Sequence, residues 1–161
     1  MNINTEDAPT YGIDNKVTDD QAISIAKLIL AQRFERVDVM NNCDTVKDYL
    51  TLHLAEKECE IFGAIMLDNQ NRVIEFKELS RGTINKASIY PREVIKEVLS
   101  SNAASVILAH NHPSALPDPS EADKQITERL VKVLELIDVR VLDHIIVGGA
   151  DAISFAEVGY L

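Results

Sequence analysis

The sequence predicts an α/β sandwich, a mixed β-sheet flanked by helices, and three observations carry that expectation. Residues 60–79 read as two strands joined by a tight turn. Residues 105–109 and 139–147 are apolar runs rich in β-branched side chains. Stretches with apolar residues at three- and four-residue spacing alternate with them. Size agrees, since 161 residues with 46% hydrophobic content suffice for one domain with a real core and are short for two.

Residues 1–18 are polar and patternless, with Pro9 and Gly12. From Asp19 to Arg36, Ile23, Ala26, Leu30 and Phe34 recur at helical spacing behind Thr18 or Asp19 as a cap, which predicts one amphipathic helix. Its apolar face is expected to pack on its own domain, ahead of a homodimer or partner interface. Residues 1–44 thus read as an N-terminal extension and 45–161 as the main domain.

A second helix is expected from Thr45 to His53, with Val46, Tyr49 and Leu50 on one side and His53 on its surface. EIFGAIMLD, Glu60 to Asp68, is a strong strand. DNQN, Asp68 to Asn71, is turn chemistry that returns the chain through Arg72 to Leu79 as antiparallel partner. This hairpin is expected at the centre of the sheet. Residues 81–88 read as loop, and Pro91 opens a helix to about Asn102 at its favoured first position. Ser105 to Ala109 re-enters the sheet. Ala122, Ile126, Leu130, Val133 and Ile137 then mark a long helix, and strands from Val139 to Val147 and Ala152 to Ala156 complete the order β-β-α-β-α-β-β. No internal repeat or low-complexity tract interrupts it.

Composition excludes several function classes. A net charge of -10 argues against the basic face that nonspecific DNA binding requires, although a local basic patch remains open. Cys43 and Cys59 stand sixteen apart with no C-x-x-C partner, so neither a disulfide framework nor a thiolate zinc site is indicated. The acidic, polar MNINTEDAPTYG is not a signal peptide, and no run approaches the roughly eighteen apolar residues of a membrane span. A soluble, cytoplasmic protein with reduced cysteines is expected.

The chemistry concentrates in HNHPSALPDPSEAD, His110 to Asp123. His110 and His112 are two apart, and extended backbone points such side chains to one face, so both imidazoles can reach one ion. Pro113, Pro117 and Pro119 keep the next stretch out of helix. Ser120 starts one, and Asp123 falls in its first turn, free to be a third ligand. Two histidines and a carboxylate leave a fourth tetrahedral position for water, as in catalytic zinc sites. A competing explanation covers half of the motif: S-E-A-D is a capping box in which Ser120 caps the helix and Asp123 reaches back. It leaves the histidines unexplained. Adjacent His-Asn-His is not the spread-out ββα nuclease arrangement, and a zinc deaminase would need H-x-E with P-C-x-x-C, which is absent. His144, in VLDHIIV, is expected in the core or behind the site, where it or Asp143 can orient a ligand histidine. A base for the proton of water needs a carboxylate that does not bind metal, and spacing leaves Glu56, Glu58 and Glu60 open.

HxH, seven residues, Ser, two residues, Asp resembles the signature of the JAMM (JAB/MPN) metalloproteases. GTINKASIYPREVIKE (residues 82–97), SVILAHNHPS (105–114) and VLDHIIVG (141–148) are similar to the RadC branch, and the likeness covers roughly residues 44–161. One departure stands in the loop, where Ala115 replaces the branch's usual glycine. The resemblance implies a cytidine deaminase-like α/β sandwich and a Zn²⁺-dependent hydrolase acting on a peptide or isopeptide amide, with His110, His112 and Asp123 as metal ligands. It selects Glu60 as the base, and it implies that Ser120 either donates to the oxyanion or serves as the helix cap. RadC-like proteins commonly carry a DNA-repair label and a helix-hairpin-helix region. No paired glycine-bearing hairpin precedes Thr45 here, so direct nucleic-acid binding is not expected. The alternative is a non-catalytic or DNA-repair-associated module with a structural metal site.

Overall fold

A computed structural model describes residues 18–34, 43–82 and 89–161. Within it β3 (Ser105–Asn111) forms the middle of a five-stranded sheet, with all seven residues buried. The sheet order is β2 (Val73–Arg81), β1 (Ile61–Leu67), β3, β4 (Arg140–Gly148), β5 (Asp151–Ser154). β3 and β4 run parallel and the other neighbours antiparallel, so the sheet is mixed, in a JAB/MPN-like α/β arrangement.

The hairpin β1–β2 is therefore not central. β1 is fully buried, but β2 is an edge strand carrying Glu75, Lys77, Glu78 and Arg81, charges that suit an edge and keep it from pairing further. Its turn forms for the expected reason: the Asp68 carboxylate accepts from the backbone N–H of Gln70 and Arg72, and Asn71 turns the chain with φ of 56°.

Helices cover both faces. α2 (Cys43–Leu54) lays Val46, Leu50 and Leu54 on Ile61, Ile65, Ile107, Ala109, Ile145 and Val147. On the opposite face α3 (Pro91–Ser100) and α4 (Glu121–Glu135) bury Val94, Val98, Leu130 and Leu134 against Phe62, Met66, Val106 and Leu108. Each fully buried side chain of this size contributes about 1.5–3 kcal/mol relative to exposure. α3 stops short of the expected Asn102 because that residue turns left-handed, at φ of 57°, and Asp138 at 58° ends the turn after α4 in the same way.

His53 is not a bare surface residue: its ring lies 4.1 Å from that of Tyr49 and 6.3 Å from that of Phe76, and its Nδ1 donates to the Tyr49 carbonyl. α1 (Asp19–Phe34) lies against α2. Ile23, Ile25, Ala26, Ile29 and Leu30 are half-buried, and Ala22 and Leu28 are exposed. The expected continuation to Arg36, the Phe34 side chain, the leading residues 1–17 and most of the loop 81–88 lie outside the described residues. Among the described residues no helix is long and apolar enough to cross a membrane. Cys43 and Cys59 are free thiols.

Candidate metal centre

β3 continues two residues past Ala109, so His110 is a strand residue, paired with Phe62 of β1 and Ile146 of β4 and 1% exposed. His112 follows immediately, its N–H donating to the Val147 carbonyl at 2.8 Å, which keeps the chain extended through both histidines. Their side chains share the α4 face, as the two-residue spacing requires. His110 Nε2 and His112 Nε2 stand 2.9 Å apart. Asp123 completes the group: its Oδ1 is 3.3 Å from His110 Nε2 and its Oδ2 3.4 Å from His112 Nε2. Ligands of a tetrahedral zinc at about 2.0–2.2 Å stand about 3.3–3.5 Å from one another. The carboxylate–imidazole separations match that spacing and the imidazole–imidazole one, 2.9 Å, is shorter, so the two rings would part by about 0.5 Å to hold an ion of zinc's size.

The capping box and the cluster of His110, His112 and Asp123 coexist. Ser120 caps α4, accepting from the Asp123 N–H, while Ser120 N and Oγ both donate to Asp123 Oδ2, at 2.7 and 2.6 Å. Oδ1 takes no part in the box and faces His110. Oδ2 thus serves the box while also facing His112, and the Ser120 hydroxyl hydrogen is engaged on Asp123. Burial pushes the Asp123 carboxyl up, but the His110 and His112 rings facing its oxygens outweigh it and hold the group well below the usual carboxylate range. The Asp123 carboxylate in turn raises His112 above its ordinary value against burial, helped by the Leu116 carbonyl and by the charge of Glu60.

Glu60 is half-buried at the residue preceding β1. Glu56 and Glu58 are exposed, and Glu58 lies in a bend before the strand, so it does not share a strand face with Glu60. The charge of Glu60 is among the influences that raise His112. Asn111, between the two histidines, points to the other face and was not singled out by sequence. Its Oδ1 accepts from the Ile61 N–H at 2.8 Å and its Nδ2 donates to the Cys59 carbonyl at 3.2 Å, so it holds the peptides on both sides of Glu60.

The loop over the site is built tightly. The Leu116 carbonyl accepts from His112 Nδ1 at 2.9 Å, and the Leu116–Pro117 peptide passes directly over Gly148. Ala115 adopts φ of 61°, a left-handed conformation that glycine takes without steric cost.

His144 and Asp143 take opposite faces of the sheet. Val106 pairs with Val141 and Leu108 with His144, so β4 spends one residue more than β3 over this interval. That extra residue flips the alternation and brings His144 to the α4 face, where its Nε2 is 2.8 Å from His110 Nδ1 and its Nδ1 2.6 Å from Thr127 Oγ1. Asp143 instead accepts from Ser154 Oγ and the backbone N–H of His144 and Ala156. His144 is fully buried, and burial lowers its pKa well below the ordinary histidine value.

A family model described as a RadC-like JAB domain matches residues 40–160. Two UPF0758 proteins of Vibrio cholerae serotype O1 are 50% and 51% identical to this chain over 151 residues, covering 94% of it and 95% and 96% of their own lengths. A UPF0758 protein of Thiobacillus denitrificans is 46% identical over 154 residues, covering 96% of this chain and 69% of the relative.

Proposed function

The chain belongs to the RadC-like JAB domain family, and from that membership we propose that it is a zinc-dependent hydrolase of the JAMM type that cleaves a peptide or isopeptide amide. The observation that carries the reading is the convergence of one ligand atom each from His110, His112 and Asp123, all within 4.8 Å of one another. When bound, the ion supplies Lewis acidity, polarising the scissile carbonyl and making water acidic enough to ionise near neutral pH.

The chain's own residues supply the rest. Glu60 accepts the proton of the attacking water and delivers it to the leaving amine, a role that suits a half-buried carboxylate outside the ligand set. Ser120 supports Asp123 and becomes a donor to the oxyanion only by exchanging its bond to Oδ2. A half-buried Glu60 whose charge acts on His112 supports this reading over a module whose metal is purely structural, which needs no base. With a net charge of -10, duplex DNA is expected to bind no tighter than about 10⁻⁴ M at physiological salt. Sub-micromolar binding there would move the function toward nucleic acid.

The test is a panel of peptide and isopeptide-linked substrates with zinc-loaded protein. Wild type is expected to cleave one class, and Glu60→Gln to keep its zinc while losing roughly 10²- to 10⁴-fold in rate. Full activity in Glu60→Gln would transfer the base to another carboxylate. Zinc-loaded wild type inert on the whole panel would overturn the hydrolase reading.

A further inference from the structure

We propose that Thr127 and His144 are positioning residues: they fix the tautomer of His110 so that its Nε2 lone pair, and not a hydrogen, faces the metal site. The inference rests on the metal reading above and concerns residues outside the ligand set.

It follows from counting hydrogens. Thr127 Oγ1 lies 2.5 Å from the Asp123 backbone carbonyl and 2.6 Å from His144 Nδ1. A hydroxyl has one hydrogen, and a carbonyl oxygen only accepts. The Thr127 hydrogen therefore goes to Asp123 O, and Oγ1 accepts from His144, which must carry its hydrogen on Nδ1. His144 is 0% exposed, its ring 5.6 Å from that of Phe62 and 4.8 Å from that of Phe155, surroundings in which a neutral ring is the cheaper form. Neutral and protonated at Nδ1, it offers Nε2 as an acceptor. The group facing that nitrogen is His110 Nδ1, at 2.8 Å, so His110 donates there and its own Nε2 is bare.

His112 reaches the same form by another route, because its Nδ1 faces the Leu116 carbonyl and must donate. Two bare Nε2 atoms then converge at 2.9 Å beside Asp123, an arrangement that repels itself unless a cation, a proton or a metal, lies among them. Thr127 also ties the ligands together physically. Its hydroxyl holds the backbone of Asp123 on α4, and through His144 on β4 it sets the ring of His110 on β3.

Removing the hydroxyl has a directional consequence. In Thr127→Val the His144 Nδ1–H would lose its acceptor, and a buried unpaired N–H costs more than an unpaired lone pair. His144 is then better off with its hydrogen on Nε2, donating to His110 Nδ1. His110 must in turn carry its hydrogen on Nε2, where the ion would bind.

Long-range ¹H–¹⁵N spectra of the metal-free protein read this tautomer directly, and zinc affinity by chelator competition reads its consequence. Wild type is expected to show His110 protonated at Nδ1. Thr127→Val is expected to show it protonated at Nε2 and to bind zinc about 10- to 100-fold more weakly, with Thr127→Ser restoring both. Thr127→Ala gives the same reading if the valine methyl is not accommodated. The proposal is overturned if the hydroxyl-free variants leave His110 protonated at Nδ1, whether or not zinc affinity changes, since Thr127 would then act on packing alone. A wild type that binds no zinc but shows the tautomer switch would uphold the relay and overturn the metal reading instead.

Discussion

Adding one methyl at Gly148 tests whether the loop above the site is a structural part of it. A Cβ built there would stand 2.3 Å from Pro117 N, 2.5 Å from Leu116 C and 2.7 Å from Pro117 Cδ. Two of these are backbone atoms, so no side-chain rotation relieves the clash. Ordinary contact begins near 3.4 Å, and the loop must withdraw by about 1 Å to reach it. Leu116 O, which accepts from His112 Nδ1 at 2.9 Å, moves with it and out of hydrogen-bond range. Overpacking of this kind costs about 1–3 kcal/mol, and losing the partner that orients a metal-binding histidine costs roughly 10- to 100-fold in metal affinity. Gly148→Ala should therefore unfold at lower urea concentration and bind zinc at least tenfold more weakly by chelator competition. Wild-type values for both would refute the claim that the Leu116–Pro117 peptide orients His112.

Other substitutions separate roles that meet in single residues. Asp123→Ala is expected to lower zinc affinity by far more than its effect on folding. Ser120→Ala should cost about 1 kcal/mol in denaturant titration while keeping most of the affinity; equal losses of affinity in the two would make the capping box inseparable from the ligand. Ala115→Gly relieves a left-handed alanine, at φ of 61°, and is expected to stabilise the protein by about 0.5–1 kcal/mol with zinc binding unchanged; a destabilised variant would contradict that reading of the loop. Protons compete with the metal. His112 is raised by Asp123, so in the metal-free protein its stabilising contribution is fully present below about pH 6.5 and is lost as pH rises through the raised value. Zinc affinity should run the other way, falling as pH drops through the same value. Calorimetry in two buffers of different ionisation enthalpy should show proton release on binding, and pH-independent affinity between pH 6 and 8 would contradict it.

Element order and the clustering of His110, His112 and Asp123 were legible because each rests on local pattern: a continuous apolar run for β1, three- and four-residue spacing for α4, and a spacing motif for the three side chains. Neighbour relations were not. The β1–β2 hairpin reads equally well at the centre or the edge of a sheet, and only the charges along β2 hint at the edge it occupies. Simple alternation cannot place Asp143 and His144, because the extra residue between Val141 and His144 exchanges their faces. Asn111 and Thr127 bear no motif. Asn111 acts through residues some fifty positions upstream, and Thr127 is one turn beyond Asp123 in an ordinary helical pattern. The capping box does not remove Asp123 from the cluster with His110 and His112, because Oδ1 is outside the box and Oδ2 faces His112 while serving it, and no local pattern in the sequence displays this.

The central claim is that this site holds one zinc ion on three side chains. Anomalous diffraction at the zinc edge from crystals grown with zinc tests it directly. The expected map shows one peak per chain, at about 2.0–2.2 Å from His110 Nε2, His112 Nε2 and an Asp123 oxygen. Zinc-soaked crystals with no peak at these residues, or with the ion on other donors, would contradict it.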